Sequence, residues 1–127
     1  MAAMACQAEV KGGIDNLFLT KEFDPRGMYT IQLFDGTADN CRGAWRKFSI
    51  DDYIPCCAHA WQEGRGSARL KFSQLNGNEL WVMLLEKAFA KLCGSYKNLG
   101  GGSTIWSLRA MTGDHCRWYE KDTTGGV

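Results

Sequence analysis

The stretch that most limits how this chain can fold is Asn78 to Tyr96, NELWVMLLEKAFAKLCGSY. Trp81, Leu84, Leu85, Ala88, Phe89 and Leu92 recur at three-and-four spacing, which puts them on one broad face of a helix and leaves Glu86, Lys87 and Lys91 on the other. Such a helix needs a second apolar surface to lie against. Its ends carry local signals: Asn76 or Asn78 can cap the first turn, Glu79 favours the positive end of the dipole, and Lys91 with Gly94 fits the close. Three glycines then lead to Ser103 or Thr104, either a good N-cap, and a short second helix carrying Ile105, Leu108 and Met111 ends before Gly113.

The second surface is expected upstream. In MYTIQLF, Met28, Thr30, Gln32 and Phe34 alternate with Tyr29, Ile31 and Leu33, a strand pattern rich in β-favouring residues. Trp45, Lys47 and Ser49 alternate in the same way with Arg46, Phe48 and Ile50. With the turn-forming stretch 35–43 between them, the two predict a hairpin with a long loop. Asp24-Pro25-Arg26-Gly27 reads as a turn into the first strand.

Around this pair, 1–13 reads as a loose or weakly helical lead, and Leu17, Phe18 and Leu19 suggest one short buried element within 14–22. Residues 56–66 read as an irregular connection, 68–72 as a short third strand, and 121–127 as a frayed tail. The order predicts an α+β fold, a small antiparallel sheet packed on helices in one domain.

At 127 residues the chain is one small domain or a piece of a larger one. Fifteen basic and fourteen acidic residues leave a formal charge of +1 with no block of like sign, which argues against nucleic acid or an anionic membrane as the main partner. No apolar run reaches membrane-span length, and Met1 to Val10 lacks the pattern of a secretory signal. Ala2 stands where N-myristoylation needs glycine. A cytoplasmic location is expected, with the six cysteines mostly reduced and a disulfide framework the weaker reading.

LWVMLLEKAFAKLCGSY, then GGGST, then MTGD followed by WYE, resembles the calpain family of calcium-dependent, papain-like cysteine proteases. Gly27-Met28-Tyr29, Gly43-Ala44-Trp45 and Ile50-Asp51-Asp52-Tyr53-Ile54-Pro55 follow the order of strands and strand exit in that family. The resemblance covers roughly 23–120. It implies the first lobe of a papain-like protease core, in part, preceded by a weakly structured lead over 1–22. It also implies calcium-dependent cysteine endopeptidase activity, a protein or peptide substrate and a second lobe as partner.

Three residues are site candidates on the strength of the resemblance. Gly101 and Gly102 match the glycine pair that lines the cleft, where an extended substrate backbone hydrogen-bonds to the wall; a plain interhelical bend explains them equally. Glu79 matches a calcium-ligating glutamate, and a first-turn carboxylate on the helix dipole is the alternative. The family's remaining calcium ligands lie on an upstream loop that has no match here, so tight calcium binding by this chain alone is not expected. Gly113-Asp114 matches the interlobe hinge, with Asp114 departing from the family's second glycine. Tyr53 and Arg109-Ala110 depart as well, as in a divergent member.

The catalytic residues themselves have no counterpart. A papain-like protease needs a thiolate, a histidine to hold its proton and a residue to orient that histidine. The family's glycine-aspartate-cysteine-tryptophan segment and its histidine and asparagine segments do not occur in this sequence. Cys6 lacks the flanking residues, Cys93 closes a helix at the end that disfavours a thiolate, and Cys41, Cys56, Cys57 and Cys116 match no catalytic position. Asp51-Asp52 reads as a strand exit, because neighbours on a strand point to opposite faces. Cys56, Cys57 and His59 with His115 and Cys116 could supply zinc ligands, against ordinary loop thiols and exposed histidines. Core packing is the default for most of the five tryptophans. Two readings follow: part of a protease lobe, inactive by itself, or a non-catalytic calpain-like interaction module.

Overall fold

A computed structural model of the chain describes residues 2–57, 69–72, 79–117 and 119. Helix α1 (Ala2–Ala8) opens the chain and a 3-10 turn follows at Asp15–Leu17. Strands β1 (Met28–Asp35) and β2 (Ala44–Asp51) form an antiparallel hairpin, and β3 (Cys56–Cys57) pairs with β4 (Arg69–Leu70) in a second small sheet. Helices α2 (Trp81–Cys93) and α3 (Thr104–Thr112) complete the α+β arrangement.

The hairpin register pairs Tyr29 with Ile50, Ile31 with Phe48 and Leu33 with Arg46. Tyr29, Ile31, Leu33, Phe48 and Ile50 are buried, so the alternation in the sequence corresponds to one core-facing surface. Helix α2 lies along both strands and buries Leu84, Leu85, Ala88 and Phe89 in the same core, as its periodicity predicts. Helix α3 lies along β1 and contributes Ala110 and Met111.

Several features differ from the sequence reading, among them strand β3 at Cys56–Cys57 in a stretch read as an irregular connection. The lead over 1–13 begins with a helix, because Ala3 and Met4 are buried in the core and α1 packs on α3. Lys87 and Lys91 do not face solvent freely. Their long stems reach β2, where Lys87 pairs with the Asp51 carboxylate and donates to the Tyr53 carbonyl at 2.6 Å, and Lys91 donates to the Ser49 carbonyl. The described tryptophans are not fully buried: Trp45 packs on Phe34 and Gly113 and Trp106 on Phe89 with part of each ring exposed, and Trp81 is half-buried against the core. Trp61 and Trp118 lie outside the described residues, as do Asn76, Asn78 and the tail at 121–127.

Helix α2 begins later than expected, with Leu80 as its N-cap, and closes where expected. Gly94 takes φ 90°, its N–H donates to the Lys91 carbonyl, and Asn98 Nδ2 donates to the Cys93 carbonyl at 2.8 Å. The long hairpin loop turns through Ala38–Cys41, where Asp39, Asn40 and Cys41 take φ of 50°, 53° and 66°. It returns to β2 at Gly43, with φ +87°, where a Cβ would lie 2.2 Å from Phe34 Cζ, so only glycine fits.

Asp35 anchors the start of that loop. It is 9% exposed and accepts from the Thr37 N–H at 3.0 Å, Thr37 Oγ1 at 2.7 Å and Arg46 Nη1 at 2.8 Å. The hydrogen bonds from Thr37, then Arg46, lower its pKa from 3.8 to about 2. A lowered folded-state pKa stabilises the fold above the ordinary pKa, and that contribution is lost as pH falls from 3.8 towards 2. Asp35→Asn should cost about 1–2 kcal/mol at neutral pH, with the difference from wild type shrinking below pH ~3. Urea unfolding at the two pH values measures both.

Candidate functional site

The candidate site residues flank α2. Glu79 sits just before the helix, and Gly101 and Gly102 follow the 3-10 turn Tyr96–Leu99 that leads away from its other end. Thirteen residues of helix separate the two flanks by roughly 18 Å. The two candidates are thus placed by elements beyond opposite ends of α2.

Glu79 is exposed, and its Oε2 accepts from Trp81 Nε1 at 3.2 Å. The carboxylate thus steadies the indole at the mouth of α2. Among the described residues no three His, Cys, Asp or Glu side chains gather closely enough to hold a metal ion. A calcium cage needs several oxygens around one centre, and one carboxylate turned onto an indole does not fit that need. The zinc alternative meets the same limit for Cys56, Cys57, His115 and Cys116, while His59 lies outside the described residues.

The two glycines are not equivalent. Gly101 has φ +77°, and a Cβ there would meet nothing within 4 Å, so its backbone conformation alone selects glycine while the space beside it stays open. At Gly102 a Cβ would rest 3.6 Å from the Leu99 carbonyl oxygen, an ordinary contact. Both are exposed. Ser103 is the N-cap of α3, as the sequence predicts, and its carbonyl accepts from the Ser107 N–H at 3.1 Å. At the far end of α3, Gly113 takes φ +74° and a Cβ would fall 2.9 Å from Trp45 Cζ2, so the hinge glycine is wedged against β2.

The described thiols lie in different settings. Burial pushes the Cys93 thiol up, which favours the neutral form. Cys6 and Cys41 are exposed, Cys56 Sγ donates to the Ile54 carbonyl at 3.4 Å, and Cys116 Sγ donates to the Asp114 carbonyl at 3.8 Å. Asp51 and Asp52 diverge as adjacent strand residues do. Asp51 turns to Lys87, whose hydrogen bond lowers its pKa, while the Asp52 carboxylate lies over Gly27.

Sequence reasoning missed a cleft of about 570 Å³ between the 3-10 turn, the segment 20–23 and the start of α2. Phe18, Phe23, Tyr29, Leu80, Trp81 and Leu84 line it, with Thr20, Lys21 and Glu22 at its polar side. Its components come from three separate stretches, and only the unusual exposure of Phe23 hints at it. No described helix is long and apolar enough to cross a membrane.

The family described as calpain family cysteine protease matches residues 1–125. The chain is 35% identical over 113 residues to the calpain-type cysteine protease DEK1 of Zea mays, covering 89% of this chain and 5% of that protein. It is 36% identical over 113 residues to the DEK1 protein of Arabidopsis thaliana, with the same coverage. The human calpain-1 catalytic subunit is 40% identical over 79 residues, 61% of this chain and 10% of that protein. The chain therefore spans about a twentieth to a tenth of the length of these relatives.

Replacing each glycine by alanine separates backbone need from crowding. Gly101→Ala should cost about 1 kcal/mol through its left-handed conformation, and Gly102→Ala should stay within about 0.5 kcal/mol. Chemical denaturation of the two variants checks the difference.

Proposed function

The chain belongs to the calpain family of cysteine proteases, whose catalytic domain is papain-like, and from that premise we propose that it forms part of the first lobe of a protease core. In this reading it supplies a wall of the substrate cleft rather than the reacting groups. The observation that supports it is the bend at Gly101-Gly102, where no described side chain lies within 4 Å of a Cβ placed on either glycine, as close approach of an extended peptide backbone requires. The substrate is a protein or peptide, held in part by this wall. The thiolate and the imidazole that exchanges its proton come from residues with no counterpart in this sequence, on a second lobe and on the segment before the first. A cytoplasmic location goes with this reading.

Calcium belongs to the proposal only weakly. Glu79 is one candidate ligand among the several that the ion requires, and its bond to Trp81 competes for the same carboxylate. The chain by itself then binds calcium no more tightly than a single surface carboxylate does, and no step is assigned to the ion.

A second reading, a non-catalytic module that binds a partner or the second lobe, is favoured by one observation. Phe23, Leu80 and Val10 remain exposed around the cleft at the start of α2, and apolar surface of that kind marks contact sites.

The purified chain should leave a fluorogenic peptide uncleaved with or without calcium. Calcium-dependent turnover that stops on thiol alkylation would refute the division of labour. Calorimetry should detect no micromolar calcium affinity, and such an affinity, if found and lost in Glu79→Gln, would restore Glu79 as a true ligand.

A further inference from the structure

We propose that the outer edge of β2 is a docking strand for an extended acidic segment of a partner polypeptide, which joins the hairpin as a third strand. The register decides which main-chain groups are available. Thr30 turns both of its groups away from β2: its N–H donates to Thr20 Oγ1 at 3.0 Å, and its carbonyl accepts from the Leu19 N–H at 2.9 Å. Thr30 faces Ser49, so these two share no hydrogen bonds, and alternate residues of β2 follow the same sense. Trp45, Lys47 and Ser49 therefore direct N–H and C=O outward. Lys91 occupies the Ser49 carbonyl, and no described strand pairs with the edge at Trp45 and Lys47.

Open edges are ordinarily blunted by proline, a bulge, short length or charge. β2 is eight residues long, contains no proline and pairs with β1 residue for residue, so among the described residues charge is what protects this edge. Arg42, Arg46 and Lys47 are exposed along it, and Lys91 stands at its far end. Asp35 is paired with Arg46 and Asp51 with Lys87, and Asp114 lies near Trp45.

The sign of that charge selects the occupant. Two copies edge to edge would bring Arg42 and Lys47 near like charges, which destabilises cross-strand pairing. An acidic strand meets the same residues with opposite sign. Main-chain bonds to Trp45 and Lys47 then give affinity, and alternate acidic side chains give selectivity. Trp45 is 47% exposed and stands edge-on to Phe34 at 5.7 Å, a rigid apolar platform for one side chain of the incoming strand.

The test adds a short peptide of alternating valine and glutamate to the isotope-labelled full chain and follows backbone amides by NMR. Shifts and slowed hydrogen exchange at Trp45 and Lys47 are expected, with affinity falling roughly tenfold from low to high salt. Lys47→Pro removes one outward N–H without breaking a bond to β1 and should abolish binding. Lys47→Glu keeps the backbone intact and should weaken binding about tenfold, so it decides the matter if the proline variant fails to fold. The proposal is overturned by no binding, by binding that leaves both amides unshifted, by equal binding of a valine–lysine peptide, or by unchanged affinity in Lys47→Glu.

Discussion

The structure depends on one contact, the apolar face of α2 laid across β1 and β2. A two-stranded hairpin is marginal in water by itself, and a thirteen-residue helix is marginal as well. Each becomes stable by covering the other. Leu85 and Ala88 are fully buried in this contact with Ile31 and Leu33, and α1 and α3 extend the same core.

Polar groups then fix how the helix and hairpin sit. Lys87 and Lys91 reach from α2 to carbonyl and carboxylate groups at the end of β2, which sets the helix along the strand as well as against it. Asp35 does the corresponding job at the loop end, tying Thr37 and Arg46 together. In each pair one partner stays largely in water, Arg46 beside the buried Asp35 and Asp51 beside Lys87. Their cost of desolvation is small, and their value is in direction rather than in net energy.

The same frame explains why the candidate site is divided. Glu79 lies before α2, and the Gly101-Gly102 bend comes after the 3-10 turn that follows that helix. A stretch of a larger core that presents one wall and one helix mouth is consistent with that separation. The cleft before α2 and the open edge of β2 are further surfaces that this stretch leaves available.

Much of this was legible in the chain itself. The three-and-four spacing of Trp81 to Leu92 and the alternation of Tyr29, Ile31 and Leu33 name their buried faces, because burial repeats with the backbone period. Gly94, Ser103 and Gly113 mark helix ends through local conformational preference. The motifs around the glycine bend gave the family, which no periodicity could supply. What the sequence could not state is whatever joins distant stretches. That Ala3 and Met4 fold back into the core where α1 meets α3, and that Lys87 leaves solvent for Asp51, both follow from how elements pack. Periodicity fixes which side of an element is apolar, whereas only the tertiary structure decides which partner that side, and every long polar side chain beside it, will reach.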